Sequence, residues 1–260
     1  MIPVAMTIAG SDPSGGAGLQ ADLKTFHQHR VYGTSVVSLL TVQNTETVAE
    51  VRVLEPDFVL AQLDALLSDV PPAAAKTGAL GSADVVQAVA QRAAGFAFPL
   101  VVDPVMISTH GARLIDADAE RILVDHLLPT AILVTPNLQE ATALAGRAVD
   151  DLSGMESAAR AIADLGAKNV LIKGGHLAGQ AVDVLWADGQ VHQFASPRVE
   201  TRHTHGTGCV YSAAITARLA RGDDIVTAVR HGKAFIAAAI SSSPGLGHGF
   251  GPTNMMATVD

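Results

Sequence analysis

The single cysteine of the chain stands in His203-Thr204-His205-Gly206-Thr207-Gly208-Cys209, directly ahead of an Ala-rich run. Gly206, Thr207 and Gly208 offer consecutive backbone N–H groups where a helix over 208–221 is expected to begin, and a helix N-terminus favours an anion. Phosphoryl transfer develops charge on the equatorial oxygens of the migrating group, and fixed N–H donors hold that charge. Cys209 at such a terminus is expected to have a lowered thiol pKa and so to accept a proton. His203, His205 and Cys209 also invite a zinc reading, but no Cys-x-x-Cys exists to complete a structural site. The plainer alternative is a small apolar residue buried at a helix start.

Three further motifs fall where short apolar runs end. In Thr135-Pro136-Asn137-Leu138-Gln139-Glu140-Ala141, Asn137 is the expected N-cap and Glu140 the third helical residue, which is a capping-box pattern. At the C-terminal edge of a parallel sheet the same Asn137 and Glu140 can instead hold the water shell of Mg²⁺. Lys173, followed by Gly174 and Gly175, can reach a nucleotide phosphate or can be a surface lysine before a turn. Asp103, ahead of Pro104, is a metal ligand, a polar contact or a turn former.

The stretch "AGSDPSGGAGLQADLKTF" (9–26) runs from a buried strand through four glycines into a helix. Gly16-x-Gly18-x-x-Ala21 matches a dinucleotide fingerprint, but its glycines lie too far from the strand end and no acid follows the next strand. No Gly-Lys-Ser/Thr follows, which excludes a Walker A loop. The remaining reading is a backbone-lined wall in which Asp12 and Asp22 bind polar groups of a small molecule, against a helix-capping turn as the bland alternative.

These motifs need elements to position them. Apolar runs at 4–10, 35–42, 99–105, 131–136 and 169–175 are hydrophobic on both faces, as parallel strands covered by helices should be. Amphipathic stretches at 17–30, 56–69, 82–94, 117–128, 137–145 and 154–166 lie between them, so the alternation predicts an α/β fold with a mainly parallel central sheet. Segments 45–54 and 182–195 read as antiparallel strands, the first as a small β flap over the sheet edge and the second turned at Asp188-Gly189. Two consecutive helices, 208–221 and 224–242, precede a Gly-rich tail at 245–252.

The 260 residues, 48% hydrophobic and 16% charged, suit one packed domain over 1–260. A net charge of −8 with no Lys/Arg run argues against nucleic acid or an anionic membrane as partner. A lone cysteine, no apolar stretch near the roughly 20 residues of a membrane span, and a start without a basic n-region lead to the expectation of a cytoplasmic protein.

Taken in order along the chain, "AGSDPSGGAGLQADLKTF", "TVQNT" (41–45), "EPDFVLAQLDALLSDV" (55–70), "TPNLQEA", "KGGH", "HTHGTGC" and "GHGFGP" resemble the ribokinase-like kinases, most closely the hydroxymethylpyrimidine and phosphomethylpyrimidine kinases of thiamin biosynthesis. The resemblance runs nearly end to end. It implies a three-layer α/β/α ribokinase-like fold, ATP and Mg²⁺ as cofactors, and two successive phosphorylations of a small pyrimidine. It further implies that Gly10, Ala17, Asp22, Gln43 and Val105 surround the pyrimidine, with Gln43 reading the ring edge, because an amide offers both donor and acceptor. Asn137 and Glu140 would fall to the metal, Lys173 to the nucleotide phosphates, and Gly206 to Cys209 to the anion hole. Cys209 takes the place where sugar-kinase relatives carry an aspartate base. A homodimer is the expected assembly.

Two stretches depart from the family pattern. Lys76-Thr77-Gly78-Ala79 puts Ala79 where relatives commonly carry methionine, which opens space beside the ring. Thr109-His110-Gly111 replaces the usual Lys-Ser-Gly or Thr-Ser-Gly. The competing readings are a pyridoxal or pyridoxine kinase, for which Ala79 leaves room, and a non-catalytic ligand-binding protein on the same fold.

Overall fold

The computed structural model describes residues 2–106, 115–175 and 179–259. Its strands are β1 (Val4–Ser11), β2 (Tyr32–Gln43), β3 (Val48–Val53), β4 (Ala74–Thr77), β5 (Leu100–Val102), β6 (Leu133–Val134), β7 (Val170–Ile172), β8 (Ala181–Ala187) and β9 (Gln190–Ser196). Among the described residues they form one sheet in the order β3-β2-β1-β4-β5-β6-β7-β8-β9. The run from β2 to β7 is parallel throughout, while β3 at one edge and β8 and β9 at the other are antiparallel.

Eight α-helices are described: α1 (Gly18–Gln28), α2 (Pro56–Asp69), α3 (Ala83–Ala93), α4 (Ala117–Ile122), α5 (Leu138–Ala145), α6 (Leu152–Ala163), α7 (Thr207–Ala220) and α8 (Ile225–Ser241). Adjacent strand residues point to opposite faces, and the core divides accordingly. Val102, Val134 and Ile172 pack into a cluster with Val59 of α2, Val86 of α3 and Met155 of α6. Their neighbours Val101, Leu133 and Leu171 pack with Tyr211 and Ile215 of α7 and Phe235 of α8. All six strand residues are fully buried, each contributing on the order of 1.5 to 3 kcal/mol of apolar burial. Continuous apolar strands covered on both faces give the expected three layers.

Several details differ from the pattern expected of the sequence; the expected strands 99–105 and 169–175, for example, shorten to Leu100–Val102 and Val170–Ile172. Strand β4 was not expected, because Ala-Ala-Lys-Thr places a lysine inside a four-residue buried strand. The expected helix over 117–128 is α4 followed by a π-helical turn at Leu123–Leu127, which Pro129, lacking an N–H, cannot continue, and a short 3₁₀ turn at Leu128–Thr130. The expected strand 131–136 contracts to Leu133–Val134. The flap is the edge strand β3, hydrogen-bonded to the outer half of β2 from Leu39 to Gln43.

The topology fixes where a ligand can sit. The chain runs outward from β1 to β2 on one side and to β4 on the other, and such a switch point opens a crevice at the carboxyl ends of the strands. Asp12, Gly78, Asp103, Thr135 and Lys173 follow the ends of β1, β4, β5, β6 and β7 respectively.

Candidate active site

After β1 the chain makes its Gly-rich turn around the Asp12 carboxylate. Oδ1 accepts from Ser14 N–H at 2.9 Å, and Oδ2 accepts from the Ser14 hydroxyl and the N–H groups of Gly16 and Ala17 at 2.9 to 3.2 Å. His205 Nε2 reaches the same Oδ2 at 2.8 Å and lies 3.1 Å from the amide nitrogen of Gln43. Burial works to raise Asp12, but the bonds from His205 and Ser14 outweigh it and hold the carboxyl below its usual range. Thus Asp12 ties the Gly-rich loop to the turn that opens α7. Ala17, the N-cap of α1, is half-buried, and Gly10 is packed against the Leu39 side chain.

The turn itself is built on Gly206, which has φ +73° and no room for a side chain beside the Gly16 carbonyl oxygen. Of the expected anion-hole donors, Thr207 N–H is used by the Thr204 carbonyl at 3.2 Å. The N–H groups of Gly208 and Cys209 find no backbone partner in the preceding turn. A hypothetical Cβ on Gly208 would stand 3.2 Å from Lys173 Nζ and 3.7 Å from Asp103 Oδ2, so this pair borders the open donors directly.

Cys209 corrects an expectation. Burial pushes its thiol up to about 11, against the pull of the Lys76 ammonium and the hydrogen bond from Gly18 N–H at the start of α1. One ammonium and one backbone N–H do not overcome the loss of water and the nearby Asp22 and Asp103 carboxylates. In the unliganded site this balance favours the neutral thiol.

The strand-end residues form a second cluster. Lys173 Nζ donates to Asp103 Oδ1 at 2.9 Å; the Thr135 hydroxyl donates to the same oxygen, and the Ser212 hydroxyl to Oδ2. Asn137 and Glu140 form a complete capping box on α5, at 2.9 and 2.8 Å. Glu140 is buried nonetheless, and burial raises its carboxyl to about 7 while Lys173 pulls it down and Asp103 pushes it up. Asp103 and Glu140 are thus two carboxylates in electrostatic reach of each other and of Lys173. Mg²⁺ is commonly held by one or two carboxylates together with substrate phosphates, so the donor set fits that ion without a protein cage. Among the described residues no group of three metal-ligating side chains exists, zinc ligands included.

Asp22 also departs from expectation. It is fully buried, accepting from Lys76 Nζ at 2.7 Å and from the Thr7 hydroxyl at 2.6 Å, so a direct contact with a ring is not available to it. Lys76 is equally buried and lies 3.5 Å from the Cys209 carbonyl oxygen. Burial lowers Lys76, but Asp22 holds it above its usual range, while burial leaves Asp22 itself raised. Neither Lys76 nor the joining role of His205 is legible from local pattern, because their partners lie 54 and 162 or more positions away. Gln43, Ala79 and Val105 are half-buried at the same edge. Thr109, His110 and Gly111, and His176 of the Lys173 motif, lie outside the described residues.

Comparison with known proteins agrees with this geometry. Residues 12–254 match the family described as phosphomethylpyrimidine kinase. The hydroxymethylpyrimidine/phosphomethylpyrimidine kinase of Synechococcus elongatus is 47% identical over 96% of this chain and 96% of its own. The thiamine biosynthesis bifunctional protein ThiED of Geobacter sulfurreducens is also 47% identical, and the chain spans about half its length, 51%. Among solved structures, an ADP complex of Bacillus subtilis pyridoxal kinase superposes with a TM-score of 0.91 at 37% identity, over 99% of this chain and 98% of that one. A phosphomethylpyrimidine kinase of Clostridium difficile gives 0.82 at 39% identity, over 92% and 100%. A match over nearly the whole chain, with the motif residues gathered at one sheet edge, places this chain in the phosphomethylpyrimidine kinase family.

Proposed function

We propose that the chain, acting as one ribokinase-like unit over 1–260, uses ATP to phosphorylate 4-amino-5-hydroxymethyl-2-methylpyrimidine and then its monophosphate. The observation that carries this reading is the meeting of the open N–H donors at Gly208 and Cys209 with the Lys173–Asp103 pair, within the fold and family just described. In the first reaction the substrate hydroxyl oxygen forms a bond to the γ-phosphorus as the bond to the ADP oxygen breaks, and the hydroxyl proton leaves late, to an oxygen of the transferred phosphoryl group; in the second, an ionised phosphate oxygen of the monophosphate is the nucleophile. Gly208 and Cys209 N–H stabilise the equatorial oxygens, and Lys173 moves from Asp103 toward the phosphates. Mg²⁺ bound with Asp103 and Glu140 would neutralise phosphate charge. Gln43, Gly10, Ala17 and Val105 border the ring, and Asp22 acts from behind through Lys76.

Because its thiol is neutral, Cys209 aligns the attacking hydroxyl instead of removing its proton. Phosphoryl transfer proceeds through a loose transition state governed by positioning and electrostatics, so early base catalysis is not required. Cys209→Ala is therefore expected to lower kcat about tenfold, less than the 10²- to 10⁴-fold typical of a lost general base. A larger loss, with disappearance of an acidic limb in the pH–rate profile, would show that the thiol does take the proton.

The same reading includes a cytoplasmic homodimer. Among the described residues no helix is long and apolar enough to cross a membrane, and Leu40 and Val42 leave two exposed apolar side chains on one face of β2 that a second copy would cover. Half-buried Ala79 and the pyridoxal kinase structures favour one second reading, a pyridoxal-type substrate. Initial rates on hydroxymethylpyrimidine, its monophosphate and pyridoxine decide between them, with the first two expected to be preferred. Absence of ATP turnover with all three would instead leave a ligand-binding protein.

A further inference from the structure

We infer that His205, its proton placed by Asp12, fixes which way the Gln43 amide faces and therefore the order of donor and acceptor offered to a ring edge. This rests on the proposed role of Gln43 beside the pyrimidine.

One ring nitrogen serves two neighbours. His205 Nε2 lies 2.8 Å from Asp12 Oδ2 and 3.1 Å from the Gln43 amide nitrogen. A carboxylate that already accepts from three backbone N–H groups and a hydroxyl is an acceptor alone, so Nε2 must carry the proton. A protonated Nε2 facing an NH₂ group sets two donors against each other. Amide nitrogen and oxygen are interchangeable on geometry, and the bonding network decides between them. A half-turn of the amide puts Oε1 toward His205 as a shared acceptor and sends both N–H groups toward the open side.

The ring is held in that attitude. His205 is 2% exposed, its backbone N–H donates to the Gly251 carbonyl at 3.1 Å, and Gly16 packs so closely that any side chain there would meet the imidazole. Gln43 then presents amide N–H donors, with the second lone pair of Oε1 beside them. A ring-nitrogen acceptor next to an exocyclic amino donor satisfies both. An edge without that pairing leaves one of the two unmet, which is how such a site discriminates. His205 is a positioning residue for specificity, acting through Gln43.

Nitrogen NMR of ¹⁵N-histidine-labelled protein tests the proton directly. The chain has ten histidines, and the His205→Gln variant identifies the signal that belongs to His205. Nε2 should be protonated in the unliganded protein; an Nδ1–H tautomer with bare Nε2 overturns the inference. In steady-state kinetics His205→Ala should raise KM for the pyrimidine at least about tenfold and shrink its kcat/KM advantage over pyridoxine about tenfold. KM for ATP should stay within about threefold, and His205→Gln, which restores an N–H donor, should recover much of the preference. Equal losses in both variants with a matching rise in KM for ATP would mean that His205 only holds the turn together. If the unmodified protein phosphorylates no pyrimidine, the proposed function fails, while the nitrogen spectrum still decides where the proton sits.

Discussion

Alanine at Gly206 removes most turnover and lowers stability, whereas alanine at Gly222 does only the second. Both glycines have positive φ, +73° and +94°, and a non-glycine residue there costs about 1 to 2 kcal/mol. They differ in surroundings. Nothing lies within 4 Å of a Cβ built on Gly222, at the far end of α7, while a Cβ on Gly206 runs into the Gly16 carbonyl oxygen and the Ala17 backbone. Relief of that clash must push apart the Gly-rich loop and the turn that aims Gly208 and Cys209 N–H. Loss of one aligned donor in such a hole is worth roughly 10² to 10³ in kcat. Thermal melts and kcat on both variants separate strain from misalignment. A Gly222→Ala protein as inactive as Gly206→Ala would show that lost stability alone explains the effect.

That pair also shows what the sequence could and could not reveal. The Gly-Thr-Gly-Cys turn, the Gly-rich loop and the Asn137 cap were readable because each is a local pattern whose residues dictate their own backbone. Both-face apolar runs identified the strands β1, β2, β5, β6 and β7 and hence the layered sheet, since the pattern follows from burial between helices. Strand β4 was invisible for the opposite reason: Lys76 breaks its apolar run, and only Asp22, contributed by α1, makes a lysine tolerable there. The thiol is misleading in the same way. A helix N-terminus is visible in sequence and lowers a thiol pKa, but the loss of water around Cys209, which is the larger effect, depends on how the other elements pack over it. Burial and long-range pairing, more than residue type, set the electrostatics of this site.

Lys76→Met should therefore be among the most damaging single changes. It leaves the Asp22 carboxylate without its counter-charge at a position with no solvent access, and breaking a buried pair this way costs about 3 to 5 kcal/mol. The cost depends on pH. Without Lys76 the folded-state pKa of Asp22 rises further above its unfolded value, so the folded protein prefers the protonated acid and the penalty grows as pH rises above the unfolded value. Urea midpoints should show the variant closer to the parent at pH 5 than at pH 8. Adding Asp22→Asn removes the stranded charge and should restore most of the stability at pH 8, making the double variant more stable than Lys76→Met alone. A loss below about 1 kcal/mol, as for a surface pair, would contradict the buried pair. Activity should not follow stability back. Lys76 lies against the Cys209 carbonyl and supplies positive charge beneath the N-terminus of α7, so the refolded double variant still lacks a cation where phosphate charge must be held. Recovery of stability without recovery of kcat separates the two roles of the pair; recovery of both would leave Lys76 with a role in folding alone.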